Sequence, residues 1–142
     1  MLAALGFLLF AAPPPRQPAH VTPKAIYDAA ASGDRGRFEA VVGDARATID
    51  SMPLGAARNA LRRSLITAID LDRVWRFDGV YWSEQSLPDY YDRLAGEYAD
   101  FERFITPYRV IDNNGRAFYP KQETREFLVD KLRPANSGKR ST

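Results

Sequence analysis

The longest regular alternation of apolar and polar positions lies in residues 90–105. Apolar residues recur there in steps of three and four, which is the spacing of one face of an α-helix. Ser86 and Pro88 stand just before this stretch, and both residue types favour the start of a helix. Pro107 follows it and cannot continue a helix. The pattern therefore predicts one uninterrupted amphipathic helix from Ser86 to Ile105.

A second stretch with helical spacing covers residues 54–74, where Leu61, Leu65 and Ala68 share one face. Asp70 and its neighbours fall near the C-terminal end of this stretch, where the helix dipole disfavours carboxylates. We therefore predict a long helix from about Leu54 to about Val74, with an earlier stop near Asp70 as the alternative.

Shorter helices are predicted from their boundary residues. Thr22 and Pro23 are typical of a helix start, and the Gly33 that follows ends the helix. Asp34 can cap a second helix that Gly43 weakens or ends, and a third helical segment covers residues 44–51. A last helix is expected over residues 121–132, with three inward apolar residues: Phe127, Leu128 and Leu132.

Asn114-Gly115 lies between two stretches of β-branched and aromatic residues, which is a strong signal for a β-hairpin. With these two residues as the loop, Ile111 lies opposite Phe118, and Val110 opposite Tyr119. A lone hairpin is marginal in water, so one of its faces should pack on helices. The predicted fold is mainly α: a compact helical domain of about five helices with one β-hairpin before the last helix.

Residues 2–12 form an unbroken apolar run that three prolines follow. The run has the length of the apolar region of an export signal, roughly 7–15 residues. It is shorter than a membrane span, which needs about 20. We therefore expect export to the periplasm or the medium. No basic residue precedes the run, so an upstream start or an uncleaved N-terminal membrane anchor fits equally well.

The chain then divides into three parts. Residues 1–20 form the signal or anchor segment with its proline-rich linker, residues 21–133 form the helical domain with its hairpin, and residues 134–142 form a polar, disordered tail. Hydrophobic residues make up 45% of the chain, which is enough to build a core without cysteine. An exported domain of this kind must be held together by packing alone.

Composition excludes several kinds of chemistry. Cysteine is absent, so disulfides and thiolate metal sites cannot form. The only histidine, His20, lies in the linker, so a Ser-His-Asp arrangement cannot be built inside the domain. We predict no metal and no cofactor. The net charge of +2 gives no broad field for nucleic acid, and a membrane contact is expected only through the N-terminal segment if it stays uncleaved.

Aromatic residues are the best candidates for a binding surface. Tyr81, Trp82, Tyr90 and Tyr91 lie close together in sequence, and aromatic side chains with a polar tip suit protein and glycan interfaces. The alternative interpretation places them in the core with their polar tips at its rim. Tyr90 and Tyr91 are adjacent on a helix, so both cannot point fully inward.

Two charged sets have other interpretations. Six carboxylates follow the aromatic residues, and two of them could form a glycosidase pair if their separation were suitable: Glu84, Asp89, Asp92, Glu97, Asp100 and Glu102. Nothing in their spacing selects a pair. Arg58, Arg62 and Arg63 form a basic strip that could meet phosphate or an acidic partner, although a solvated face explains it as well.

These observations favour a non-enzymatic interaction module that is exported or associated with the cell envelope and that binds a protein or a glycan. One alternative is a carboxylate-based envelope enzyme that acts on glycan. The other is a small cytosolic helical adaptor whose N-terminus belongs to its structure. Catalysis is not excluded by the sequence, but no residue is assigned a catalytic role.

Overall fold

Six α-helices make up most of the chain that the computed structural model describes, which comprises residues 20–76, 86–111, 113–115 and 117–135. In chain order the elements are α1 (Pro23–Ala31), α2 (Arg35–Ser51), α3 (Ala56–Arg76), α4 (Ser86–Glu97), α5 (Phe101–Ile105), a 3-10 turn (Thr106–Tyr108), β1 (Val110–Ile111), β2 (Ala117–Phe118) and α6 (Lys121–Lys131). The prediction of a mainly helical domain is therefore confirmed.

The first helix begins and ends as its boundary residues predict. The hydroxyl of Thr22 accepts a hydrogen bond from the backbone N–H of Ala25 at 3.2 Å, and Pro23 is the first helical residue. Gly33 follows the helix with a φ of 73°, a left-handed conformation that glycine adopts without steric cost. Asp34 then caps α2 by accepting from the N–H of Arg37 at 3.0 Å. These local hydrogen bonds explain why sequence alone located both helix starts.

Helix α2 is continuous, so the predicted break at Gly43 is wrong. Glycine inside a helix costs about 1 kcal/mol relative to alanine. The buried residues of α2 continue on both sides of Gly43 at helical spacing, and they are Phe38, Val42, Ala45, Thr48 and Ile49. Burial of one apolar face across the glycine outweighs its local cost. The helix ends at Ser51, two residues before Pro53.

Helix α3 continues to Arg76, close to the end predicted near Val74, and the alternative stop near Asp70 is wrong. Asp70 is only 2% exposed and forms an ion pair with Arg93 of α4 at 2.8 Å. Beyond Asp70, Val74 and Trp75 are buried in the core. Their burial stabilises the last turns of α3 more than the dipole of the helix destabilises them.

The expected single helix over residues 86–105 is interrupted between Glu97 and Phe101. Gly96 lies in the last turn before the interruption and weakens the helix there. Tyr98 follows, and its hydroxyl hydrogen-bonds to two side chains of α3. The periodicity still identified the correct inward face, because Leu94 before the interruption and Phe101 after it are both fully buried.

The core lies among α1, α2, α3 and α6, and α4 and α5 extend it. Its largest fully buried apolar side chains come from all six helices: Ile26, Phe38, Leu61, Leu71, Val74, Tyr91, Leu94, Phe101 and Leu128. The rings of Phe101 and Phe127 meet edge to face, with centroids 5.3 Å apart. Helix α6 follows its prediction, and Phe127, Leu128 and Leu132 are buried as expected.

The segment before α6 differs from its prediction in register and in packing. Strands β1 and β2 pair antiparallel over two residues each, with Val110 opposite Phe118 and Ile111 opposite Ala117, one residue away from the predicted pairing. A two-residue type I′ loop needs positive φ at both central residues. Gly115 has a φ of 76°, whereas no described non-glycine residue has a positive φ. The loop is therefore longer than two residues.

The remaining predictions concern the chain ends. The apolar run of residues 2–12 and most of the polar tail lie outside the described residues. Within the described part of the chain, no helix is both long and apolar enough to cross a membrane.

Candidate functional site

The four aromatic residues of the predicted contact surface divide into three cases. Tyr81 and Trp82 lie outside the described residues. Tyr91 is only 2% exposed, and its ring stacks on Tyr119 with centroids 4.5 Å apart. It also stacks on Phe101 at 6.0 Å. Tyr91 is therefore a core residue and offers no exposed surface, contrary to the expectation that a partner contacts it.

Tyr90 is half-buried between α4 and α3. Its hydroxyl donates a hydrogen bond to the backbone carbonyl of Asp70 at 3.0 Å, and the guanidinium of Arg93 lies 4.9 Å from its ring centroid. Burial, together with the nearby Asp70 carboxylate, raises the pKa of Tyr90 above its usual value near 10. The hydroxyl is thus held neutral in a position where it attaches α4 to α3.

The most unusual polar group of the described chain is the buried carboxylate of Asp70. Its Oδ1 accepts a hydrogen bond from Nη2 of Arg93 at 2.8 Å, and its Oδ2 lies 3.2 Å from the hydroxyl of Tyr98. That hydroxyl also lies 3.1 Å from Oγ1 of Thr67. Arg93 and Tyr98 thus hydrogen-bond to this carboxylate, and Nη1 of Arg73 lies 3.9 Å from its Oδ1. A buried charge requires such partners.

Burial dominates the electrostatics of this cluster. It raises the pKa of Asp70, and the hydrogen bond and positive charge of Arg93 offset only part of the rise. Burial also raises the pKa of Tyr98 to about 12. For Arg93, burial lowers the pKa, but hydrogen bonds to Asp70 and Glu97 outweigh burial and leave its pKa raised. Arg93 therefore stays positively charged beside Asp70, and its charge opposes the rise in the pKa of that carboxyl.

The geometry of this cluster indicates that it holds α4 and Tyr98 against α3. The side chain of Asp70, on α3, is 3% exposed, and it accepts hydrogen bonds from Arg93 of α4 and from Tyr98 just after α4. A carboxylate enclosed in this way cannot reach a substrate. Arg93 also pairs with Glu97, four residues later on the same helix, at 2.5 Å. No local signal pairs Arg93 with a residue 23 positions earlier in the chain.

The six carboxylates considered for glycosidase chemistry do not form a site in the part of the chain that is described. Glu84 and the side chain of Asp89 lie outside that part. Asp92 and Glu102 are exposed. Asp100 pairs with Lys131 of α6, whose hydrogen bond lowers the pKa of the Asp100 carboxyl. Among the described residues, no three His, Asp or Glu side chains lie close enough to hold a metal ion.

An open groove of about 440 Å³ lies where α1, α3 and α6 meet. Trp75 lines it, and the guanidinium of Arg125 lies 5.7 Å from the ring centroid of Trp75. Arg133 pairs with Asp130 at 3.2 Å and also lies over the ring of Tyr27. Because acidic and basic groups alternate around the groove, it favours no ligand charge.

An exposed apolar segment directly precedes the hairpin loop. Val110 and Ile111 of β1 are each 61% exposed, and the adjacent Tyr108 is 44% exposed. Successive residues of a strand point to opposite faces. Both faces of β1 are therefore uncovered, contrary to the expectation that one face packs on the helices. The alternating pattern identified the strand but did not reveal that its apolar residues remain at the surface.

Comparison with known proteins adds no assignment, since no protein-family model, curated protein or solved structure matches the chain.

Proposed function

We propose that the protein is a non-enzymatic interaction module of the cell envelope and that it binds an extended segment of a partner protein along β1. The observation that supports this function is the exposed pair Val110 and Ile111 in a strand of only two residues.

Such a strand is weak by itself. A lone two-stranded ladder is marginal in water unless it packs on other elements, and here neither side chain of β1 is covered. Covering Val110 and Ile111 would stabilise a complex by about 1–2 kcal/mol for each side chain, given that full burial of such residues contributes about 1.5–3 kcal/mol. Contiguous exposed apolar residues of this kind mark interaction sites.

The form of the partner follows from the backbone of β1. Among the described residues, β1 pairs with β2 alone, so its other edge has no neighbouring strand. An extended peptide can add to such an edge through main-chain hydrogen bonds while its side chains contact both faces. This binding mode uses the exposed edge and the exposed side chains together.

The location of the protein is a separate part of the proposal. The apolar run of residues 2–12 has the length and composition of an export signal, and it supports an exported or envelope-associated protein. Cell fractionation with N-terminal sequencing of the mature protein tests this part. Recovery of uncleaved protein in the cytosol would contradict it.

Binding is tested with Val110→Thr and Ile111→Thr in one variant. Threonine keeps the branched shape that strands favour but replaces an apolar methyl with a hydroxyl. Leu54→Thr is the matched control, because Leu54 is 86% exposed and lies outside β1. Quantitative co-purification from envelope extracts should recover the same partner with the wild type and the control, and little with the double variant. Equal recovery with all three proteins would refute binding along β1.

A further inference from the structure

The outer face of α3 carries a concentrated positive charge that the net charge of the chain conceals. Between Asp50 and Asp70 the sequence contains three arginines and no acidic residue: Arg58, Arg62 and Arg63. Arg62 and Arg63 are exposed and Arg58 is half-exposed. None of the three side chains forms an ion pair with any residue of the described chain.

Stability of the helix does not account for these arginines. The first turn of α3 contains no acidic residue, and Arg58 lies within the first turn. The positive end of the helix dipole disfavours a cation there. Some other arginines of the domain have an acidic partner one helical turn away, as Arg35 has in Glu39 at 3.0 Å. Arg58, Arg62 and Arg63 have no such partner, whereas Arg73 and Arg76 at the other end of α3 pair with Asp70 and Asp72.

An exposed apolar residue lies in the same face. Residues 58, 62, 66 and 73 fall on one side of a helix with 3.6 residues per turn. Position 66 is isoleucine, 50% exposed, and position 73 is a fourth arginine with an exposed side chain. The face extends over about 22 Å along α3, at 1.5 Å per residue. We call the surface formed by Arg58, Arg62, Arg63, Ile66 and Arg73 the basic face.

We propose that the basic face binds the surface of an anionic phospholipid bilayer. Its arginines would meet lipid phosphates, and Ile66 would enter the boundary between head groups and acyl chains. Helices that lie in a membrane interface combine basic residues with apolar ones in this manner. Arginine suits the position because its long aliphatic stem can lie along apolar surface while its charged end stays with the phosphates.

The exposed isoleucine favours a bilayer over other anionic partners. A nucleic acid backbone or an acidic peptide offers charge but no apolar layer for Ile66. The basic face is also the outer side of a single helix, which is convex and suits a flat surface. This proposal is independent of β1, because it concerns a different helix and a different class of partner.

The test uses the full chain and two kinds of vesicle. Vesicles of phosphatidylcholine alone measure any binding through the N-terminal segment. Vesicles of phosphatidylcholine with phosphatidylglycerol add negative charge. The difference in affinity between the two vesicle types therefore measures the electrostatic contribution to binding. Each arginine near an anionic surface contributes about five-fold in affinity. The triple variant Arg58→Gln, Arg62→Gln, Arg63→Gln should therefore bind the anionic vesicles about a hundred-fold more weakly.

A matched control removes three exposed arginines elsewhere: Arg37→Gln, Arg103→Gln and Arg109→Gln. It has the same net charge as the test variant and should keep nearly full affinity. Ile66→Thr should weaken binding to anionic vesicles about five-fold. Raising the salt from about 0.05 M to about 0.5 M shortens the Debye length to below 5 Å and should abolish the difference between the two vesicle types. Circular dichroism confirms that every variant is folded.

Two results would overturn the proposal. One is equal loss of affinity in the test and control variants, which would mean that net charge alone is responsible. The other is that duplex DNA or polyglutamate binds as tightly as anionic vesicles with no dependence on Ile66, which would assign the basic face to a soluble polyanion.

Discussion

The variant Arg93→Met tests how α4 is held on α3. Methionine keeps much of the length of the side chain but removes its charge and its donors. The Asp70 carboxylate, 3% exposed, then loses its nearer cation and keeps only the exposed Arg73, at 3.9 Å. Breaking a fully buried ion pair on one side costs about 3–5 kcal/mol. The side chain of Arg93 is 35% exposed, so water can enter the vacated position, and we expect a loss of about 2–3 kcal/mol at pH 7.

This loss should depend on pH in a defined direction. The folded-state pKa of Asp70 is raised above its unfolded value of 3.8, so its contribution to stability is greatest below that value and falls as pH rises through the folded pKa. Removing Arg93 removes an interaction that lowers this pKa, so the folded pKa rises further. The difference between wild type and variant should therefore be largest at pH 7 and shrink as the pH falls toward 4.

Urea unfolding at a series of pH values measures this effect. With a slope of about 1.5 kcal/mol/M for a domain of this size, the expected loss lowers the midpoint by roughly 2 M at pH 7. Adding Asp70→Asn to Arg93→Met should restore part of the loss, because no buried charge remains. Arg35→Met is the control, since its pair with Glu39 is exposed and contributes less than about 0.5 kcal/mol.

Two outcomes would refute the structural role of the pair. The first is a loss in Arg93→Met no larger than in Arg35→Met. The second is a loss that does not change with pH or with the added Asp70→Asn substitution.

Two further predictions concern the core and α2. Tyr91→Ala should destabilise the domain by about 3–5 kcal/mol, because it removes a buried ring that stacks on Tyr119; a loss below about 1 kcal/mol in thermal unfolding would mean that Tyr91 is outside the core. Gly43→Ala should stabilise the domain by about 0.5–1 kcal/mol, since Gly43 is inside α2 and an added Cβ meets no atom within 4 Å. A lower unfolding midpoint for Gly43→Ala would show that α2 needs the glycine.

Much of the helical architecture was predictable because its signals are local. Thr22 and Asp34 satisfy backbone groups three residues away, so a short sequence window contains the information for both helix starts. Helix α6 lies between prolines that limit its extent. The inward face of residues 90–105 was also correctly identified, since spacing alone determines which side chains share a side of a helix.

The errors arose where a distant residue decides the local structure. The alternative helix end at Asp70 was wrong because Arg93, 23 residues later in the chain, hydrogen-bonds to the Asp70 carboxylate. The helix break at Gly43 was wrong because the residues on both sides of Gly43 are buried, which the local sequence does not show. The exposure of Val110 and Ile111 depends on whether other parts of the domain cover β1, and the pattern of apolar residues within the strand does not contain that information. The binding residues were chosen by type, and type alone does not separate the buried Tyr91 from the exposed Val110.

Site-specific photo-cross-linking in native cells tests the proposed function most directly. A photoreactive amino acid replaces Ile111 in one protein and Leu54 in another, and the adducts are identified by mass spectrometry. Binding along β1 predicts one discrete adduct from position 111 that maps to an extended segment of an envelope protein, and no such adduct from position 54. No adduct at position 111, or the same adducts at both positions, would contradict a partner strand on β1.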